Sequence, residues 1–460
     1  MRAGILRTLA FCTALGFSFP ATPSLAQAIT TFTGRLSEDF QRALLVEPEW
    51  LAAIATRDAS VESYPQARAA LLPQVGFNAQ RSQNNTDSST QTSLGPLNRS
   101  FDNYPAASAS IQARQALLRP KSWAALSQSK AQVRYAEFAL ESAKQELALR
   151  LVSIHAELFA AKRTIDTISE QISIQEKLSE SARRQFEAGD ANRVDLELSL
   201  SREHQLRAQL SQARLELENL LVSRKELTGV TGSFEVVQFS NDSVFRLPIP
   251  ADASIEQWIM LAMRDNPSLL AQAAAIEASK EEVRKAGFDH YPTADLYASR
   301  SASKSAMDNT IGTEYRTTQV GVQLSIPIYA GGAVDSQVRQ AQAGLRRAEQ
   351  QLQAMMAKIR LQIDRDFRTI QASRDDVAAQ KESLKALNIA FSAATKGRQA
   401  GISVLADELN LRSQIASVNR NIGRSNANAI VAWGRLMAVS NRLQQDQLED
   451  VERRITQVNP

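Results

Sequence analysis

The side chains able to do chemistry are few in this 460-residue chain, and they do not converge on a reaction centre. His155, His204 and His290 are its three histidines, and none has a second His or a Cys at metal-ligand spacing. Each reads as a packing or surface residue, and no metal or cofactor is expected. No Gly-X-Ser-X-Gly elbow, P-loop or dinucleotide fingerprint is present, so the chain does not read as an enzyme. What does recur is a turn followed by a carboxylate. Phe186-Glu187-Ala188-Gly189 and Arg398-Gln399-Ala400-Gly401 lie 212 residues apart, and an aspartate follows each glycine six residues later, Asp195 and Asp407. For Asp407 that spacing predicts a place inside the next helix, beyond the first turn where a cap belongs. Were copies of the chain to assemble about an axis, Asp407 would contribute a carboxylate from each, a ring that repels itself and attracts cations. Acid-rich positions such as Glu216 and Glu218 read only as solvated helix faces.

The turns belong to a duplicated plan. Glu47-Pro48-Glu49-Trp50-Leu51 matches Asn266-Pro267-Ser268-Leu269-Leu270, and Leu72-Pro73 matches Tyr291-Pro292, both 219 residues apart. Ala136-Glu137 matches Ala348-Glu349 at the 212-residue spacing of the turns. The spacing changes between the strands, where the first half carries the longer polar loop. Several matches in one order mark an internal repeat. Each half runs helix, strand, loop, strand, long helix, glycine turn, second helix. The first repeat spans 29–228, with strands near 72–84 and 104–118 and long helices over 121–228. The second spans 256–443, with strands near 291–303 and 314–329 and long helices over 333–443. Residues 229–255 join them, and 444–460 form a tail.

The helices are rods. Lys121 to Ala188 contains neither Gly nor Pro and would extend about 100 Å as a helix. Leu147, Leu151, Ile154, Leu158, Ala161, Ile165, Ile168 and Ile172 alternate in fours and threes, the seam of a coiled coil. Leu352, Met355, Ile359, Ile363, Phe367 and Ile370 repeat the pattern more loosely. Such helices alone fit a cytoskeletal or adaptor coiled coil equally well. The strands decide. Val320, Val322, Leu324, Ile326 and Ile328 alternate with mainly polar or small residues, as one membrane-spanning β-strand requires. Val75 to Gln80 and Ala107 to Arg114 do the same, and Ala294 to Ala298 more weakly. Polar loops are expected at Asn84 to Asn103 and near Lys304 to Thr313. Two hairpins supply four strands, too few for a barrel. An open edge in lipid leaves backbone groups unpaired, so copies must assemble to close the sheet.

The remaining composition agrees with export. Arg2 and Arg7, an apolar run from Leu9 to Phe19 and Ala26-Gln27-Ala28 read as a secretory signal over 1–28. The only cysteine, Cys12, lies inside it after the bulky Phe11, which argues against an acyl anchor. The formal charge is +4, and removing Arg2 and Arg7 leaves about +2. No Lys/Arg cluster interleaves with aromatics, so no nucleic-acid partner is expected. No apolar run in the mature chain reaches the length of a membrane helix. Trp50, Trp258 and Trp433 are expected to pack at helix ends or in the equatorial segment, and Trp123 near a membrane interface.

Over about residues 36–445 the chain resembles the TolC family of outer-membrane efflux proteins. The resemblance rests on Pro48 and Pro267, Leu72-Pro73 and Tyr291-Pro292, Tyr329-Ala330-Gly331-Gly332, and the pairs Gly189/Asp195 and Gly401/Asp407. It implies a homotrimer in the outer membrane: a twelve-stranded β-barrel on a twelve-helix α-barrel that reaches into the periplasm. Residues 229–255 and the chain ends would form an equatorial belt. Implied partners are outer-membrane lipid, a periplasmic adaptor, and an inner-membrane ABC or proton-driven pump that supplies the energy, for type I protein secretion or small-molecule efflux. At the tip the resemblance makes Gly189 and Gly401 the turns, Asp407 and Asn410 the constriction, and Asp195 a latch acceptor. The family's latch Tyr and Arg fall on Arg398 and Ser403 here, which leaves Arg398 as the candidate partner of Asp195. A soluble periplasmic adaptor is the other class considered. It would need a lipoyl-like β-domain between its helices, for which 229–255 is too short.

Overall fold

The computed structural model describes residues 35–93, 95–189, 192–230, 240–249, 254–305, 313–400 and 405–456. The expected signal over 1–28 and the turn residue Gly401 lie outside these residues, as do parts of the 229–255 segment. The first repeat contains α1 (Leu36–Val46), α2 (Pro48–Val61), α3 (Ser63–Ala69), β1 (Gln74–Thr92), β2 (Gly95–Leu118), α4 (Pro120–Glu187) and α5 (Arg193–Thr228). After the short α6 (Ser243–Arg246) come α7 (Ile255–Asp265), α8 (Pro267–Gly287), β3 (Thr293–Ser305), β4 (Thr313–Ser325), α9 (Ala333–Gln399) and α10 (Leu405–Val439). α11 (Gln445–Thr456) closes the described chain.

The duplicated prolines start helices because a missing N–H costs nothing in a first turn. Pro48 and Pro267 open α2 and α8, capped by the side chains of Glu47 and Asn266. α4 and α9 run for 68 and 67 residues, about 100 Å each. α4 doubles back along α5, and α9 along α10, while α8 packs between the strand-side parts of α4 and α9. Leu147, Leu151, Ile363, Leu436 and Trp433 are almost fully buried in the core where α4, α9 and α10 meet. Trp258 is buried and Trp50 partly so, whereas Trp123 stands exposed beside the strand ends.

The four strands form one antiparallel sheet in the order β1-β2-β3-β4, with β1 and β4 at its edges. The first hairpin differs from expectation. Most of Asn84 to Asn103 is strand rather than loop: pairing resumes at Thr86↔Phe101 and runs to Thr92↔Gly95. An irregularity at Asn85 and Asn103 marks the change, where the Asn103 amide donates to the Asn85 side chain at 2.6 Å and Asn103 adopts φ 58°. Serine, threonine and asparagine keep a ladder going when their partners alternate equally well; their polarity sets where the hairpin stands, not whether it pairs. β4 ends at Ser325, short of the expected 329, because Pro327 has no N–H for a ladder.

A polar cluster ties the chain ends to the rods. Asp39 of α1 is 1% exposed and accepts from the Arg224 guanidinium at 2.5 and 2.6 Å, with the His155 ring at 2.9 Å. Burial pushes the Asp39 carboxyl up, but the hydrogen bonds of His155 and Arg224 outweigh it and hold the group below the usual carboxylate range. Glu452 of α11 accepts from the backbone and hydroxyl of Ser37, and burial pushes its carboxyl up. α11, expected only as a tail, buries Leu448, Val451 and Ile455 beside α1 and α6.

Candidate functional site

The sheet has two unlike faces, and the register assigns residues to each. Directly opposed residues share a side. Val75, Phe77, Ile111, Ala113, Leu296, Ala298, Val320, Val322 and Leu324 fall on one face, and most of their larger side chains stand well exposed. Gln80, Ser108, Ser110, Gln112, Ser299, Ser301, Gln319 and Gln323 fall on the other. A sheet apolar on one side and rich in amides and hydroxyls on the other suits lipid outside and water inside. Gly321 lies on the polar face under the Tyr297 ring, where an added Cβ would come within 2.8 Å of the phenol oxygen.

Where the sheet meets the rods, Asp295 of β3 is 4% exposed and forked by three hydrogen bonds. The Arg119 guanidinium donates twice at 2.9 Å, and Arg114 donates at 2.6 Å. Arg119 is the residue before α4 and Arg114 lies on β2, so this carboxylate joins both repeats where the sheet meets the rods. Sequence reasoning missed it. The available signal was an acidic residue inside a strand and an arginine beside Pro120.

At the opposite end the two hairpins of rods turn. Gly189 has φ +81°, a conformation costly for any side chain, and the amide of Val194 is capped by Asn192 at 3.2 Å. Asp195 is the third residue of α5 and exposed. In the second hairpin α10 starts at Leu405, so Asp407 is likewise third, exposed, and in the first turn. The expectation that Asp407 sits beyond the first turn is therefore corrected: α10 is described from Leu405, and the residue six past Gly401 falls in its first turn. In the first turn the helix dipole favours its negative charge. Asn410 is exposed one turn on and accepts from Gln414 at 3.4 Å.

Within the protomer Arg398 binds Glu408 rather than Asp195. Its Nε donates to Glu408 Oε2 at 2.6 Å, and Thr395 donates to Oε1 at 3.3 Å. The Glu408 side chain is only 6% exposed. The reason is hairpin symmetry: residues at similar distances from an antiparallel turn meet. The glycine spacing points to Asp407, whereas its neighbour Glu408 is singled out only by the pairing of the hairpin. A second missed contact links the two hairpins, where Arg202 of α5 donates to the Ser413 hydroxyl of α10 at 2.8 Å. Arg420 lies close by, and burial, with help from the Arg202 charge, holds its guanidinium below the usual value.

Among the described residues no group of His, Cys, Asp or Glu could hold a metal ion, and no helix is long and apolar enough to cross a membrane. The "outer membrane efflux protein" family model matches residues 40–232 and 258–442. The alkaline protease secretion protein AprF of Pseudomonas aeruginosa is 25% identical over 417 residues, covering 90% of this chain and 86% of AprF. The outer membrane protein TolC of Escherichia coli is 26% identical over 435 residues, covering 91% of this chain and 83% of TolC. The crystal structure of the outer membrane protein VceC from Vibrio cholerae superposes with a TM-score of 0.75 at 15% identity, covering 88% of this chain and 96% of VceC.

Proposed function

As this chain belongs to the outer membrane efflux protein family and is an outer-membrane export channel, we propose that three copies close the duct. The observation that carries the proposal is the open sheet. Its edge strands β1 and β4 run antiparallel to one another, so the β4 of one copy can pair with the β1 of the next, and three copies make a closed ring. The apolar face then meets lipid and the polar face lines the bore. The rods continue the bore into the periplasm, where an adaptor and an inner-membrane pump, of ABC or proton-driven type, deliver the substrate. AprF by name serves protease secretion and BepC of Brucella suis by name serves efflux, so both cargo classes fit. The chain supplies passage rather than chemistry, and it is not an enzyme.

At the tip we propose that three Asp407 carboxylates form the constriction, with Asn410 one turn further on. Arg398 is proposed to reach Asp195 when the tip is shut, since a guanidinium carries five N–H donors and Glu408 occupies only part of the fork. Single-channel recording tests both: Asp407→Asn is expected to lower cation selectivity, and unchanged selectivity removes the ring. Fully additive leakage in the Asp195→Ala, Arg398→Ala double variant removes the latch. For the assembly, the detergent-solubilised protein is expected to have the mass of a trimer. Val322→Arg is expected to abolish it, at roughly 2–4 kcal/mol per copy for an arginine near the bilayer midplane, while Gln323→Arg is tolerated. A stable folded monomer, or equal tolerance of both changes, overturns the reading.

A further inference from the structure

The apolar face of the sheet changes character toward the hairpin ends. Its rows nearest the rods are apolar, such as Val75–Ala113–Ala298–Val320. The next rows bring cations onto the same face: Arg300 opposite Ile111, then Arg316 opposite Ala302, then Arg81 and Lys304 flanking Ala107. One carboxylate shares these rows, Glu314, and it is already taken by Arg316 at 2.8 Å. Arg81, Arg300 and Lys304 are exposed, and among the described residues none has a carboxylate within ion-pair distance. Positive charge on a surface that faces lipid is costly unless an anion meets it.

Between the last two rows lies a shallow trough of about 580 Å³. Its floor is the backbone of Gln80, Ser108 and Ser303, whose side chains point to the other face. Ala79, Ala109 and Ala302 form the wall on the rod side, and Arg81, Ala107, Lys304 and Glu314 stand on the opposite wall, with the Glu314 carboxylate paired to Arg316. The trough is therefore apolar toward the membrane interior and cationic toward the hairpin ends. All its residues come from one protomer, so its shape does not depend on how copies close.

We propose that this outward face binds a phosphorylated, multi-acyl lipid of the outer leaflet. Its acyl chain enters the trough over the alanines, and its phosphates lie on Arg81 and Lys304. Paired charge-assisted hydrogen bonds to phosphate supply the affinity. Two spaced cations on opposite sides of Ala107 favour a lipid carrying two phosphates over one carrying a single phosphate. The proposal rests on the reading that the apolar face meets lipid, and the Val322→Arg assembly test probes that reading separately.

The test uses the intact assembled protein, delipidated in neutral detergent and titrated with diphosphoryl lipid A, monophosphoryl lipid A, phosphatidylcholine or inorganic phosphate. Native mass spectrometry reads bound lipid and oligomer mass together. Diphosphoryl lipid A is expected to bind most tightly. The Arg81→Gln, Lys304→Gln variant is expected to weaken that binding roughly thirtyfold while remaining assembled. Ala107→Phe, which keeps every cation but fills the trough, is also expected to weaken it. If the double variant fails to assemble, Lys304→Gln alone carries the test, with roughly a fivefold loss. Undiminished binding in the charge variants, equal binding of phosphatidylcholine, or full displacement by inorganic phosphate at matching concentration overturns the proposal.

Discussion

At the base of the first hairpin His155 and Arg224 close on Asp39, while 212 residues on the same places in the second hairpin hold Phe367 and Leu436. Nearer the tip, Gln175 and Ser179 of α4 reach Ser199 of α5 in a buried polar cluster, and the second hairpin has Leu387, Phe391 and Leu411 there. At the last turn the contrast reverses. The second hairpin pairs Arg398 with Glu408, where the first has Phe186 and Leu196. One backbone plan is thus held together in two ways. Buried polar contacts fix one register, because a shifted rod would leave them unpaired. Apolar seams tolerate more sliding. The first hairpin carries buried polar contacts at Asp39 and Ser199 and is apolar at its turn; the second is fixed at its turn by Arg398 and Glu408, with its other polar links at Ser425–Asp376 and Arg435–Asp366.

The base cluster offers the largest break in this comparison. Arg224→Met leaves the Asp39 carboxylate buried without its fork, and the folded protein is expected to lose about 3–5 kcal/mol. Asp39→Leu with His155→Phe and Arg224→Leu gives the first hairpin the character of the second. Its stability is expected to equal or exceed the parent by up to about 4 kcal/mol. Urea melts of the assembled protein in detergent compare the three. The pH dependence has a defined sign. The folded Asp39 carboxyl titrates below its unfolded value, so its contribution is present above about pH 4 and is lost as pH falls through the lowered value. Glu452 works the other way: its contribution is present below about pH 4 and is lost as pH rises through the raised value. Acid melts of the triple variant should therefore lack the Asp39 loss. An identical acid profile in parent and variant would show that the cluster does not titrate with folding.

The turn gives a smaller effect. Arg398→Ala leaves a carboxylate whose side chain is 6% exposed with only the Thr395 hydroxyl, at a cost of about 1.5–3 kcal/mol for a hydrogen bond to a charged group. Amides in the last turn of α9 are expected to exchange roughly tenfold to a hundredfold faster. Arg398→Phe with Glu408→Leu, borrowing the residues of the first turn, is expected to restore most of the protection. Exchange that stays fast in the double variant would mean that the two hairpins differ at their turns by more than this pair.

How much of this was legible in the sequence follows the range of the forces. The rods, their seams and the duplicated plan were legible because periodicity and proline positions are local. The faces of β4 were legible for the same reason: Val322 and Leu324 alternate with Gln323. The length of the first hairpin was not, because Ser, Thr and Asn signal loop and solvent-exposed ladder alike. Long-range polar contacts were the least legible. Asp39 meets Arg224 across 185 residues, and Asp295 meets Arg119 across 176, with no spacing rule to announce either. At the tip, Asp407 was read from the glycine spacing, but Glu408 needed the pairing geometry of a finished hairpin.

The polar cluster toward the tip of the first hairpin yields the smallest effect and the sharpest distinction. The Gln175 amide donates to the Ser199 carbonyl at 3.0 Å and to its hydroxyl at 2.8 Å, and Ser179 shares that hydroxyl at 3.0 Å. Ser199→Ala leaves the carbonyl in place, so Gln175 keeps one acceptor while Ser179 loses its partner. The cost is expected to be about 1 kcal/mol, the net worth of an ordinary hydrogen bond. Replacing the whole set with Gln175→Leu, Ser179→Ala and Ser199→Ala removes the side-chain donors and acceptors together with little change of shape and is expected to be nearly neutral in stability. Register should then loosen even though stability does not fall. Spin labels on exposed Glu187 and Glu197 would report this as a broader distance distribution between α4 and α5, with an unchanged melting midpoint. A distribution as narrow as the parent's would show that the apolar seam at Ile165 and Ile168 already fixes the register, and that the polar cluster adds only local satisfaction.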